Sequence, residues 1–69
     1  MNEKEILDMA FAAFESGDTC KIKLPSANKI HDFNMAVNSL VKQGYIEISE
    51  RNMTYISLEL TESGLEKYM

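Results

Sequence analysis

The sequence feature that most constrains the fold is an amphipathic pattern across residues 26–45. Its apolar residues recur at steps of three or four, as they do on one face of an α-helix. Gly44 follows Lys42 and Gln43, which is typical of a helix C-terminus. One face of this predicted helix can join a core, and the opposite face is polar. The apolar set expected in the core is Ile30, Phe33, Val37, Leu40 and Val41.

A second helix is predicted near the start of the chain. Asn2 and Glu5 have capping-box spacing, so this helix is expected to begin at Glu3, and Gly17 is expected to end it. An apolar stripe at helical spacing follows the cap, and we expect both phenylalanines in it to be buried. The stripe comprises Ile6, Leu7, Ala10, Phe11, Ala13 and Phe14.

The remaining segments alternate polar and apolar residues, as half-buried strands do. Residues 21–24 predict a short edge strand that Pro25 ends, and residues 45–49 and 55–60 predict a hairpin. Asn52 is expected in a left-handed conformation at its tip. We expect Ile46, Ile48, Ile56, Leu58 and Leu60 to face the core, and Tyr55, Ser57 and Glu59 to face solvent.

A short last helix is predicted after Thr61, which is a good N-cap residue. Gly64 within it is tolerable if another backbone packs closely, and Leu65 and Tyr68 would return to the core. The order of helix, short strand, central helix, β-hairpin wing and short C-terminal helix predicts an α+β fold, a single winged-helix domain over residues 1–69. Ser26 or Asn28 would cap the central helix. Residues 26–30 either form a single scaffold turn, or the first helix of the helix-turn-helix pair is missing. We favour the scaffold turn.

Composition argues against catalysis and metal binding. Cys20 is the only cysteine and His31 the only histidine, so neither a disulfide within the chain nor a cysteine-based zinc site is expected. The sequence contains no pattern that pairs a nucleophile with a base, so we expect that the protein is not an enzyme and binds no cofactor. No apolar run is long enough to span a bilayer, and the N-terminus is charged where a signal peptide is apolar. We therefore expect a cytoplasmic protein.

Charge is distributed unevenly along the chain. The formal net charge is −4, which opposes binding to nucleic acid because phosphate contacts need Lys and Arg. Four lysines and one aspartate, however, give residues 21–45 a net charge of +3, whereas residues 1–20 and 46–69 carry −4 and −3. A locally basic face on an acidic body can bind DNA, and the basic third contains the central helix.

The second half of the chain resembles a family of small bacterial winged-helix proteins. The run FNMAVNSLVKQGYIEI, the hairpin, and then LELTESGLEKYM are similar to the YjcQ-like winged-helix group of Gram-positive prophage regions. This resemblance implies a DNA-binding or regulatory module of a mobile element. The chain departs from the family in its acidic balance and in its few wing cations. The matching positions are Phe33, Ala36, Val37, Leu40, Gly44, Tyr45, Ile46, Leu60, Thr61, Gly64 and Tyr68.

Candidate DNA contacts lie on the polar side of the central helix. Asparagine can pair bidentately with adenine, and lysine can reach guanine or a phosphate. Arg51, at the predicted wing tip, could enter a minor groove. Lys21, Lys23 and Lys29 contact phosphates or only protect the sheet edge. The helix residues predicted to contact DNA are Lys29, His31, Asn34, Asn38 and Lys42.

Other interpretations remain open for this surface. Its polar residues could be ordinary solvated side chains. His31 could make a local hydrogen bond or act as a pH switch, and Met35 could fill the core, contact a thymine methyl group or join a dimer. The rival function is a protein-interaction module, either a homodimer built on the first and last helices or a phage-type inhibitor of a host factor. Such an inhibitor would use acidic residues, namely Glu47, Glu50, Glu59, Glu62 and Glu66.

Overall fold

The computed structural model describes residues 1–69 and contains three helices and three strands. The strands form one antiparallel sheet in the order β1-β3-β2. The α+β class is as predicted, and the order of elements is consistent with a winged-helix arrangement. The elements are α1 (Glu3–Glu15), β1 (Cys20–Lys23), α2 (Ile30–Lys42), β2 (Ile46–Arg51), β3 (Tyr55–Leu60) and α3 (Glu62–Tyr68).

The predicted start of α1 is confirmed. Asn2 Oδ1 accepts a hydrogen bond from the Glu5 N–H at 2.8 Å, and Glu5 Oε1 accepts one from the Asn2 N–H at 3.1 Å. This capping box satisfies two backbone donors that a helix start leaves free. The chain leaves the helix through Gly17, whose φ of +74° suits a residue without a Cβ.

The central helix α2 is shorter than its sequence pattern. Residues 26–29 form a single turn, in which the Lys29 N–H donates to the Ser26 carbonyl at 2.9 Å. The predicted cap is wrong: the Ser26 hydroxyl donates to Asn28 Oδ1, and the N-cap residue Lys29 makes no side-chain capping bond. The single scaffold turn is therefore the alternative that the structure contains. Gly44, with φ of +82°, follows the helix as expected.

Both long helices contribute to one core on one face of the sheet. Each strand sends its inward residues to this core, and α2 sends three of the five residues predicted there. Val41 is instead 38% exposed, because it lies at the margin of the apolar stripe. The buried apolar set is Ile6, Ala10, Cys20, Ile22, Phe33, Val37, Leu40, Ile46, Ile56 and Leu58.

The two phenylalanines of α1 are less buried than predicted. Phe11 is half-buried and stacks on Tyr68 of α3, with ring centroids 4.2 Å apart. Phe14 is 50% exposed, so its predicted core position is wrong. The apolar stripe of α1 is wider than the sheet can cover, and the seven-residue α3 reaches Phe11 at its far end.

The hairpin has the predicted inward face, with one register irregularity. A bulge between Ile48 and Glu50 sets two residues of β2 against one of β3. Ser57 was expected to face solvent but is 2% exposed. It lies in the central strand, in register with Lys21 on one side and Glu50 on the other, and these long side chains flank it.

The hairpin turn is built differently from the prediction. No non-glycine residue has a positive φ, so Asn52 is not left-handed. Instead its Oδ1 accepts hydrogen bonds from the Thr54 N–H at 2.8 Å and the Tyr55 N–H at 2.9 Å. An asparagine side chain that bonds the backbone two or three residues onward holds a turn without positive φ.

A junction between the end of α2 and the start of α3 closes the domain. Thr61 Oγ1 accepts from the Gly64 N–H at 2.9 Å and donates to the Gly44 carbonyl, which confirms the predicted N-cap. The Thr61 N–H donates to the Tyr45 carbonyl at 3.0 Å. Gly64 lies so close that a Cβ there would collide with the Tyr45 carbonyl oxygen. The predicted close approach of a second backbone at Gly64 is confirmed.

Gly64→Ala is expected to lower the free energy of unfolding by about 2–3 kcal/mol, because the added methyl group must displace backbone. Urea unfolding followed by circular dichroism measures the change. Ser63→Ala, at the exposed neighbouring position of α3, is the matched control and should stay within about 0.5 kcal/mol. A Gly64→Ala protein as stable as the control would contradict this packing.

Candidate nucleic-acid interface

The packing of α2 decides which of its side chains are available. Phe33, Val37 and Leu40 are at most 1% exposed, so the opposite side of the helix faces solvent. The α2 stripe extends from that side to the margin of the apolar face, and all of its residues are exposed except Asn34, which is half-buried. The α2 stripe consists of His31, Asn34, Met35, Asn38, Val41 and Lys42.

The polar groups of the α2 stripe are not used within the protein. Ser39, outside the stripe, is the only α2 residue whose side chain takes part in a hydrogen bond. The carboxamides of Asn34 and Asn38 are therefore unpaired. The local hydrogen bond considered for His31 is not present, and its side chain is exposed. Donors and acceptors on the stripe are thus free for a partner.

Asp32 lies beside the α2 stripe rather than within it. Together with Met35 of the stripe and with Ser39, it lines a shallow groove against the first three residues of the chain. One turn beyond Ser39, Gln43 Nε2 donates to Glu3 Oε1 at 3.0 Å and fixes this flank of the helix against α1. Asp32 is therefore an exposed carboxylate next to the stripe, on its α1 side, and the stripe itself contains no acidic residue.

Three cations lie on the helix-bearing side of the sheet, and we call them the border cations. Lys29 immediately precedes the helix and Lys42 ends it, roughly 20 Å apart at the rise of an α-helix. Arg51 is the last residue of β2, next to the hairpin turn, as its predicted position at the wing implies. It pairs with Ile56, whose side chain is buried under the helices, so Arg51 projects from the helix-bearing face of the sheet.

Lys21 and Lys23 do not join these cations. In β1 the burial alternates, with Cys20 and Ile22 inside and both lysines outside. They pair with Ser57 and Tyr55 on the face of the sheet that carries no helix. The expectation that all the lysines of the basic third share one surface is therefore wrong for these two. The alternation of residues 20–23 in the sequence already predicts this placement. Alternate residues of a strand face opposite sides of the sheet, so Lys21 and Lys23 point away from the core.

The helix-free face of the sheet carries charges of both signs. The Lys21 ammonium lies 5.1 Å from the centre of the Tyr55 ring, and the Tyr55 hydroxyl donates to Glu50 at 3.0 Å. Glu47 and Glu59 are directly opposite each other on neighbouring strands. The only salt bridge is Lys4–Asp8 in α1, so neither of these two glutamates is paired. Like charges in this position destabilise a sheet slightly.

Other chemistry finds little support in the structure. No three His, Cys, Asp or Glu side chains lie together as a metal site would require. Burial raises the pKa of the Cys20 thiol, which makes the reactive thiolate scarcer. No helix has the length and apolarity needed to cross a membrane.

Comparison with protein-family models, with curated proteins and with solved structures found no significant match to this chain. The resemblance to the YjcQ-like group therefore stays a prediction, and function is argued from the geometry of the α2 stripe.

The Cys20 thiol should react slowly in the folded protein. We expect labelling by an aromatic disulfide reagent at pH 8 to be more than about tenfold slower in buffer than in urea, because the residue is buried and its pKa is raised. The absorbance of the released thiol measures the rate. Since the chain has one cysteine, the urea reaction is the internal control, and equal rates would contradict the burial.

Proposed function

We propose that this chain is a small cytoplasmic winged-helix protein that binds duplex DNA and regulates transcription, with α2 as the helix that enters the major groove. The observation that carries the proposal is the α2 stripe, an exposed helix face with two unpaired carboxamides, no carboxylate and a lysine at each end. The resemblance of the second half of the chain to the YjcQ-like group extends the proposal: the DNA target belongs to a phage, prophage or other mobile element.

The geometry suits insertion of a helix into DNA. A major groove about 12 Å wide admits one α-helix, and α2 exposes its polar side along its whole length. Lys29 and Lys42 then lie near phosphates at the two ends of the helix, and the wing places Arg51 on the same side of the sheet. The role of these three cations is to position the helix, while the stripe between the lysines contacts bases.

The small number of cations limits the electrostatic part of binding. Each neutralised phosphate contributes about −0.9 to the slope of log K against log salt. With Lys29, Lys42 and Arg51 the expected slope is about −3. Lys21 and Lys23 lie on the other face of the sheet and add nothing to it.

Removal of one border cation should make the slope of log K against log salt less negative by about one. We expect Lys42→Ala and Arg51→Ala each to weaken duplex binding equally for all sequences, because a phosphate contact carries no sequence information. Fluorescence anisotropy of a labelled duplex between 50 and about 200 mM salt measures both quantities.

Lys21→Ala and Lys23→Ala are the matched controls, because they remove the same charge from the opposite face. They should leave affinity and slope unchanged. Two results would contradict the proposal: no duplex binding at the lowest salt concentration, or an equal loss of affinity in these two variants.

A protein-interaction role is the second candidate, and one observation favours it. Glu47 and Glu59 face each other unpaired on the helix-free side of the sheet, an arrangement that costs stability. A basic surface on another protein would relieve that repulsion. The exposed rings and thioethers of Phe14 and Met9 on α1 offer apolar area for the same kind of contact or for a homodimer.

Replacement of the acidic pair separates this role from DNA binding. We expect the Glu47→Gln, Glu59→Gln double variant to be more stable by a few tenths of a kcal/mol, because cross-strand repulsion is removed. If the acidic pair binds a basic protein, the same variant should lose that protein in a pull-down from host extract while its duplex binding is unaltered. Recovery of the same partner by both proteins would contradict an acidic docking surface.

A further inference from the structure

We infer that α2 recognises a short run of A·T base pairs, about four in length. This inference deepens the proposed function and rests on it, because it assumes that the α2 stripe is the surface in the major groove. Three properties of the stripe carry it: the two free carboxamides, the exposed apolar side chains beside them, and the absence from the middle of the helix of the residue types that recognise G·C pairs.

The carboxamides select adenine by their hydrogen-bonding pattern. Asparagine offers one acceptor and one donor, which match the N6 amino group and N7 of adenine in the major groove. Both groups must be free for a bidentate contact, and Asn34 and Asn38 make no hydrogen bond within the protein. They are one helical turn apart, or roughly 6 Å, which corresponds to about two base-pair steps of 3.4 Å.

The apolar side chains of the stripe select thymine. Met35 is 58% exposed and Val41 is 38% exposed, on the same side of α2 as the asparagines. Thymine is the only base that presents a methyl group in the major groove, and apolar side chains are the residues that contact it. Met35 and Asn38 are three residues apart and therefore neighbours on the helix surface, so a thymine near the adenine of Asn38 falls within the reach of Met35.

Residues that would recognise G·C pairs are missing from the middle of the helix. Guanine is recognised mainly by bidentate Arg or Lys, and cytosine by a carboxylate. The helix contains no arginine, and its lysines occur only at its ends. Its single carboxylate, Asp32, lies in the first turn of the helix, outside the segment between Asn34 and Asn38. The central contacts therefore favour A·T pairs.

The test begins with selection from a pool of randomised duplexes at 50 mM salt, using the wild-type chain. We expect recovered sequences to share an A·T window of about four base pairs. In the selected duplex, replacement of one contacted A·T pair by G·C should weaken binding by about 5- to 150-fold.

Modified bases assign the contacts without relying on a protein variant that fails to fold. Deoxyuridine, placed at one thymine at a time, removes only the methyl group. At the thymine that Met35 contacts, we expect it to weaken wild-type binding several-fold but to leave Met35→Ala unaffected. 7-Deazaadenine, also placed at one adenine at a time, removes the N7 acceptor. At the adenine that Asn38 contacts, it should weaken wild-type binding several-fold but leave Asn38→Ala unaffected. Asn28→Ala, outside the stripe in the turn before α2, is the control variant and should respond to both modified bases as wild type does.

The outcomes separate this inference from the proposed function. Duplex binding with a G·C window, or with no preference, would overturn the A·T assignment and leave α2 as a DNA-binding helix. Absence of any duplex binding at 50 mM salt would overturn both. The assignment would also be overturned if, at every position, the modified bases weakened binding by Met35→Ala and Asn38→Ala as much as binding by the wild type.

Discussion

The structure depends on the packing of one side of α2 against the sheet. Phe33 and Val37 are completely buried, and this contact is what gives the helix its stability. A 13-residue helix is marginal on its own, and α2 lacks a side-chain cap at Lys29. Because the apolar side is held by the core, the opposite side is presented in a fixed orientation. The α2 stripe is thus a consequence of core packing, and it is preorganised for a partner.

The junction at Gly64 shows how one group of residues in the second half of the chain serves the fold. Thr61, Gly64, Gly44 and Tyr45 form one set of contacts, in which a cap, a close backbone approach and a helix end depend on one another. These positions are needed for any chain that closes its last helix in this way. They account for the fold, and a fold hosts many functions. The residues that separate one function from another lie on the α2 stripe, at positions other than these.

Periodicity correctly predicted features that depend on a single helix or strand. It was less successful in predicting burial that depends on contacts between two elements. The capping box of α1, the inward face of the hairpin and the cap at Thr61 are local, and all three are confirmed. Burial of Phe14 and Ser57 depends on what covers them: α3 does not reach Phe14, whereas Lys21 and Glu50 flank Ser57. The candidate site divides in the same way, since the polar residues of the α2 stripe followed from helical spacing alone, whereas Val41 was predicted in the core. The separation of Lys21 and Lys23 from α2 required the face of β1 to be taken into account.

The distribution of charge determines how an acidic chain can approach DNA. The unpaired glutamates of the sheet lie on its helix-free face, and the thickness of α2, about 10 Å, adds to their distance from a bound duplex. At physiological ionic strength the Debye length is about 8 Å, so their repulsion is largely screened. The attraction of three border cations is exposed to the same screening. As the salt concentration rises, both the repulsion from the glutamates and the attraction of the border cations weaken. Hydrogen bonds from Asn34 and Asn38 act at contact distance, so their contribution to binding falls less. Discrimination between sequences therefore has to come from the α2 stripe itself.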